Sequence, residues 1–272
     1  MTGWKKAVKY AAMALAILMT VSIISGIVGT VASVTFMLGI DDGVGEMKTY
    51  EVKDSVTSLD VELGGASLTL KHGDSFSVES DIKNISVSGA GKTLSVKQKG
   101  VRWSVKKTVG TVVITLPSDT VFNNARISMG AGNLEIEALS AERIDLDFGA
   151  GEVLIKKLIA TEDANIDGGA GKITIESGEI RRLDLDMGVG EFNLRARLEG
   201  RNTFDMGVGK ANVTLLDGKD NYNFDIDKGI GEIRIDGDTV GSGRHGSGAV
   251  DVEIDGGIGE INIKFEEEKT EK

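Results

Sequence analysis

A block of Gly-x-Gly set between alternating apolar residues occurs seven times from residue 130 onward, and its spacing constrains the fold more than any other feature. The first glycines are Gly130, Gly149, Gly169, Gly188, Gly207, Gly229 and Gly257, at intervals of 19, 20, 19, 19, 22 and 28 residues. The second glycines are Gly132, Gly151, Gly171, Gly190, Gly209, Gly231 and Gly259, with Ala, Val or Ile between the two. Three residues before each first glycine stand Ile127, Leu146, Ile166, Leu185, Phe204, Ile226 and Ile254. Four and six residues after it, apolar pairs such as Val153/Ile155 and Phe192/Leu194 repeat in every block.

Apolar residues alternating with polar ones mark a half-buried strand. In "IDLDFGAGEVLI" (144–155) the inward positions step by two through Ala150, then by three across Gly151. The phase break places a corner at the second glycine, where a side chain would obstruct the bend. Each block is therefore two short strands joined at a corner. One such unit cannot bury its own apolar face, so the units must stack. Parallel rungs lie about 4.8 Å apart. The expected fold is all-β: a single β-solenoid of parallel stacked rungs of about 19–20 residues, which fits a repeated column better than a sandwich does. The residue after the second glycine reads Asn133, Glu152, Lys172, Glu191, Lys210, Glu232, Glu260, so consecutive rungs placed side by side would set opposite charges next to each other over most of the column.

A second column is acidic. Two residues before the first glycine stand Asp147, Asp167, Asp186, Asp205, Asp227 and Asp255, interrupted only by Ser128. Stacked carboxylates repel, and as oxygen ligands they are weak candidates for Ca²⁺. The alternative is structural: each Asp accepts the backbone N–H two residues on, fixing the corner as an Asx-turn. The repeat lacks the Gly-Gly-x-Gly-x-Asp nonapeptide of calcium β-helices, and the structural role is the expected one. No metal or other cofactor is expected.

The N-terminus gives an address. Residues 10–40 carry no charged side chain, and about 20 apolar residues suffice to cross a bilayer as a helix. The run exceeds the h-region of a secretory signal, and a chain without cysteine has no lipoprotein anchor. Lys5, Lys6 and Lys9 precede the run, while Asp41, Asp42 and Glu46 follow it. By the positive-inside rule, residues 1–9 are cytoplasmic, 10–40 form one transmembrane helix, and the rest is extracytoplasmic at the cell membrane. Ser22, Gly26, Thr30 and Ser33 share one helical face, a spacing that permits self-association through the helix. Of 42 acids and 31 bases, all the acids and all but three bases follow the span, giving the outer part a formal charge of −14. That balance excludes nucleic acid as a partner.

Residues 41–56 read as a linker, 57–265 as the solenoid domain and 266–272 as a charged tail. "LDVELGGASLTL" (59–70) matches the repeat with Gly64 in the place of a first glycine. "ISVSGAGKTLSV" (85–96) is strand, turn, strand, and the stretch up to Pro117 reads as a hairpin and then a strand. "GDTVGSGRHGSG" (237–248) reads as a protruding Gly/Ser-rich loop. Its "GSGRHG" matches a dinucleotide fingerprint, which requires a following helix; alternating "AVDVEID" follows instead. His72 and His245 lie in different segments, leaving no basis for a triad or zinc site. Lys97, Lys99, Arg102, Lys106 and Lys107 cluster around Trp103, a candidate interaction patch for anionic lipid heads or wall polymers, against which an ordinary solvated hairpin is the expected reading.

The segments "LDVELGGASLTLKHGDSFSVES", "GKTLSV" and "VVITLPSD", followed in order by the Gly-x-Gly rungs, resemble the bacterial toast-rack family, whose members also carry an adhesin label. The resemblance covers residues 57–265 and implies a β-solenoid at the cell envelope. Some of these relatives accompany Lia-type and phage-shock-type stress systems, as sensors or scaffolds rather than enzymes, and no catalytic residue carries over. The expected function is a non-enzymatic, membrane-anchored envelope scaffold or interaction module with a protein partner. The alternative is an adhesin for a surface partner or an anionic wall polymer.

Overall fold

The computed structural model describes residues 43–52, 55–99 and 110–267. The span at 10–40, together with Arg102, Trp103, Lys106 and Lys107, lies outside the described residues. Among the described residues no helix is long and apolar enough to cross a membrane.

Strands dominate. The first part of the chain forms β1 (Val44–Glu51), β2 (Ser58–Gly73), β3 (Ser77–Ile82), β4 (Ile85–Ser88), β5 (Thr93–Gln98) and β6 (Gly110–Pro117). The glycine repeats form β7 (Phe122–Ile136), β8 (Leu139–Ile155), β9 (Leu158–Arg181), β10 (Leu183–Glu199), β11 (Arg201–Leu216) and β12 (Tyr222–Ile235). The last part adds β13 (Asp238–Val240), β14 (Gly243–Gly246) and β15 (Val250–Glu266).

Each repeat is one long strand bent at its glycines. Eight of these strands stack in parallel in the order β2, β7, β8, β9, β10, β11, β15, β12. Register follows the sequence columns: Val61, Ile127, Leu146, Ile166, Leu185, Phe204, Ile254 and Ile226 lie side by side along the stack. All eight are buried, as are the paired positions after the corner from Leu134/Ile136 to Ile261/Ile263. The two arms of each bent strand thus enclose one continuous apolar core. Phe192 and Phe204 meet across it, with ring centroids 6.4 Å apart. This arrangement is consistent with a β-solenoid.

The second glycine makes the corner. At Gly190 φ is +150°, a region that residues with a side chain rarely adopt. Residues between the glycines are not inward, contrary to the expected two-step. Ala131, Ala150 and Ile230 are exposed, and Ala170, Val189, Val208 and Ile258 are half-buried. The last inward residue before the corner is Phe148 in β8, and the next is Val153. The bend takes up the whole Gly-x-Gly, so its middle residue sits at the outer apex.

Consecutive rungs are neighbours as far as β11, where the expected order fails: β15 enters between β11 and β12. Connections between earlier rungs are one or two residues long (137–138, 156–157, 182 and 200), whereas 217–221 separate β11 from β12 and 236–249 separate β12 from β15. The longer first connection carries the chain past one rung position, which β15 later fills.

Three further segments depart from expectation. The linker reading of 41–56 is replaced at Val44–Glu51 by β1, which pairs antiparallel with β3. The loop at 237–248 folds back on β12 as β13 and β14. Glu266, assigned to the tail, belongs to β15 and accepts Arg195 Nε at 2.8 Å. On the far side of β2, β5 pairs with its first arm and β6 with its second, so these two short strands together make one split rung.

Candidate functional site

The acidic column becomes a ladder. Ser128, Asp147, Asp167, Asp186, Asp205, Asp255 and Asp227 stand in register on consecutive strands. All six carboxylates are exposed. The Ser128 hydroxyl donates to Asp147 at 3.3 Å. None of the six accepts the backbone N–H two residues on, so the expected Asx-turn is absent. Its physical basis is missing: the strand runs straight through the Asp, and the positive-φ residue of the bend lies four residues later at the second glycine.

Like charges in register raise the proton affinity of the ladder. Partial burial pushes the Asp167 carboxyl up from its ordinary value, reinforced by Asp186 and Asp147 on the neighbouring strands. Asp205 is raised by burial too, and then by Asp186 and Asp255. A second acidic column, which sequence reasoning did not single out, runs beside the first: Asp145, Asn165, Asp184, Thr203, Glu253 and Asp225 share one register line. It was legible as alternate residues of the same strands. Among the described residues no three acidic or histidine side chains converge tightly enough to hold a metal ion.

The apex residues form a ridge along the corner. Ala131, Ala150, Ala170, Val189, Val208, Ile258 and Ile230 lie in register, growing from Ala to Ile toward β12. The Asp ladder borders this ridge on one side and the charge-alternating column on the other. In that column Lys172 faces Glu191 at 3.9 Å, and Lys210 faces Glu260 of β15 at 3.6 Å. The strand exchange leaves the alternation as it would be in chain order, with a Glu after Lys210 in either case, and changes only which Glu it is. Glu260 and Glu232 stand side by side at the end of the column, and Arg234 bridges the two at 2.5 Å each.

The basic patch is only partly described. Lys97 Nζ lies 2.8 Å from Asp60 and 3.5 Å from Glu62, and its pKa is raised by the hydrogen bond and charge of Asp60. Lys97 is thus engaged within its own sheet, while Lys99 is exposed at the turn after β5. His72 and His245 remain apart, on β2 and β14.

One buried polar residue escaped sequence reasoning. Asn202 is fully buried; its Oδ1 accepts the Leu183 N–H at 2.9 Å and its Nδ2 donates to the Asp251 carbonyl at 3.2 Å. It ties β10 and β15 to β11. The signal was present: its column otherwise reads Ala125, Ile144, Ala164, Leu183, Val252 and Phe224, all apolar.

The family model Toastrack DUF4097 matches residues 47–271. The chain belongs to the toast-rack family. The toast-rack match takes in all the glycine rungs and β13 to β15, and begins within β1. No curated protein matches this toast-rack chain. Among solved structures, a protein described as a "putative adhesin" from Bacteroides fragilis is 15% identical, with 80% of this chain and 96% of that one covered and a TM-score of 0.38. A "putative cell adhesion protein" from Clostridium sporogenes is 16% identical, with 81% and 98% covered and a TM-score of 0.32. A "putative adhesin" from Parabacteroides distasonis is 13% identical, with 82% and 98% covered and a TM-score of 0.33. The toast-rack family is not a known enzyme family.

Proposed function

We propose that this toast-rack chain is a non-enzymatic, single-pass envelope protein, a β-solenoid held outside the cell membrane by the helix at 10–40, and that it docks a protein partner along its corner ridge. The observation that carries this function is the ridge itself. Seven aliphatic apex residues stand in register over about 29 Å at a rung spacing of about 4.8 Å. A continuous apolar strip at a surface costs solvation unless something covers it. Stacked repeats bind through extended surfaces of this kind. The ladder beside it selects the partner's chemistry: an apolar strip flanked by Lys or Arg would pair with Asp167, Asp186 and Asp205. A scaffold that holds such a partner beside the membrane needs no reach.

A photo-crosslinking residue at Val189 or Val208 in intact cells should capture one dominant protein, and the same probe at Glu176, exposed on the other arm of β9, should not. Asp186→Lys with Asp205→Lys should weaken the capture. Equal capture from ridge and control positions would overturn the docking surface. Protease added to cells stripped of any wall should digest residues after 40 and spare the lysine-rich N-terminus. Protection of the C-terminus would overturn the topology.

A further inference from the structure

The parallel stack ends at β12, and a terminal rung presents a row of unpaired N–H and C=O groups that template pairing with another chain. We propose that the segment 236–249 is an edge cap that keeps the β12 rung from pairing with a second copy of this chain. The segment is far longer than the one- or two-residue links between earlier rungs. The excess chain is laid along the β12 edge. β13 pairs antiparallel with the end of β12 through Asp238, Thr239 and Val240, opposite Ile235, Arg234 and Ile233. β14 pairs with its beginning through Gly243, Arg244, His245 and Gly246, opposite Ile226, Asp225, Phe224 and Asn223.

Between these two short strands lies the glycine corner, which neither strand reaches. There the Ser242 Oγ accepts the Lys228 N–H at 3.0 Å, taking an edge donor that backbone pairing leaves over. Two side-chain contacts hold the cap in place: Thr239 Oγ1 donates to Glu232 at 2.5 Å and Arg244 Nε lies 3.5 Å from Asp225. The cap's own outer edge is poorly suited to pairing. Its strands are three and four residues long, and they carry Asp238, Arg244 and His245, the short, charged edges that resist strand addition. Ile230 stays 38% exposed at the uncapped apex. Lifting the cap would free both arms of β12 and join their edge to this apolar corner. A second opened copy offers the same edge, and two such edges match about a twofold axis.

The test compares the full-length chain in detergent with a variant carrying Arg244→Pro and His245→Pro, which removes N–H donors from β14 and bends it off β12. The variant should keep the β circular-dichroism signal while its protein mass by light scattering rises with concentration, where wild type stays constant. Adding Ile230→Lys should return the mass to the wild-type value. A folded variant with wild-type mass at every concentration would overturn the cap. Where the prolines unfold the chain, hydrogen exchange on the otherwise native protein decides. The Lys228 amide should exchange more slowly in wild type than in Ser242→Ala, and equal exchange would overturn the cap as well.

Discussion

Replacing Gly190 by valine should cost the fold more than almost any other single surface change. A Cβ at Gly190 would sit 1.8 Å from the carbonyl oxygen of Gly171 and 2.8 Å from its carbonyl carbon. An ordinary carbon–oxygen contact needs about 3.3 Å, so β9 and β10 would have to part by about 1.5 Å at the corner. The next rung cannot yield, because the Gly190 carbonyl is itself packed where a Cβ of Gly209 would fall, again at 1.8 Å. The φ of +150° adds strain of about 1–3 kcal/mol for a non-glycine residue. Strain, lost ladder bonds and displaced core side chains together place the loss at about 4 kcal/mol or more, the range reserved for a named structural fault. For a domain of this size that lowers Tm by about 8–16 °C. Gly241 is the internal control: no atom lies within 4 Å of a Cβ built there, and Gly241→Val should stay within about 0.5 kcal/mol. Thermal melts of both variants by circular dichroism decide the matter. Equal, small losses would show that the glycine columns are not close-packed corners.

The Asp ladder opposes folding at neutral pH, because Asp167 and Asp205 have raised folded pKa values and the native state binds protons more readily than the unfolded one. Stability should therefore rise as pH falls from neutrality through those raised values, and then decline once Glu260, held below its ordinary value by Asn262, Lys210 and Arg234, takes up its proton; a monotonic fall from neutral pH would refute this. Asp186→Asn should flatten the rise and change Tm at neutral pH only slightly, in the stabilising direction, and millimolar Ca²⁺ should leave Tm unmoved, whereas a Ca²⁺-dependent increase lost in Asp186→Asn/Asp205→Asn would assign the ladder to the cation. Asn202→Leu, which restores the apolar column, should nonetheless lose about 1–3 kcal/mol by leaving the Leu183 N–H buried without its acceptor; a neutral or higher Tm would refute the bridging role.

Much of this protein was written locally. The recurrence of Gly-x-Gly at intervals of 19 to 28 residues, the inward columns and the acidic column are properties of each repeat, and repeats with the same columns stack in register because a one-residue slip would turn Leu146 or Leu185 to solvent. The corner at the second glycine was legible for the same reason: only a residue without Cβ fits a positive-φ bend against a neighbouring carbonyl. What local pattern does not carry is order. The β12 and β15 repeats present the same columns, so nothing in either one says that β15 lies next to β11; connection lengths and the fit of Glu260 between Lys210 and Arg234 decide it. The outward orientation of Ala150 and Val189 is likewise not carried by local pattern, because a strand periodicity of two fails inside a bend. The polar chain at 237–248 became a cap only when a terminal strand edge existed to receive it. Asn202, a lone polar residue in an apolar column, acquires its purpose from Leu183 and Asp251, 19 and 49 residues away in sequence; only the stacked rungs bring all three together.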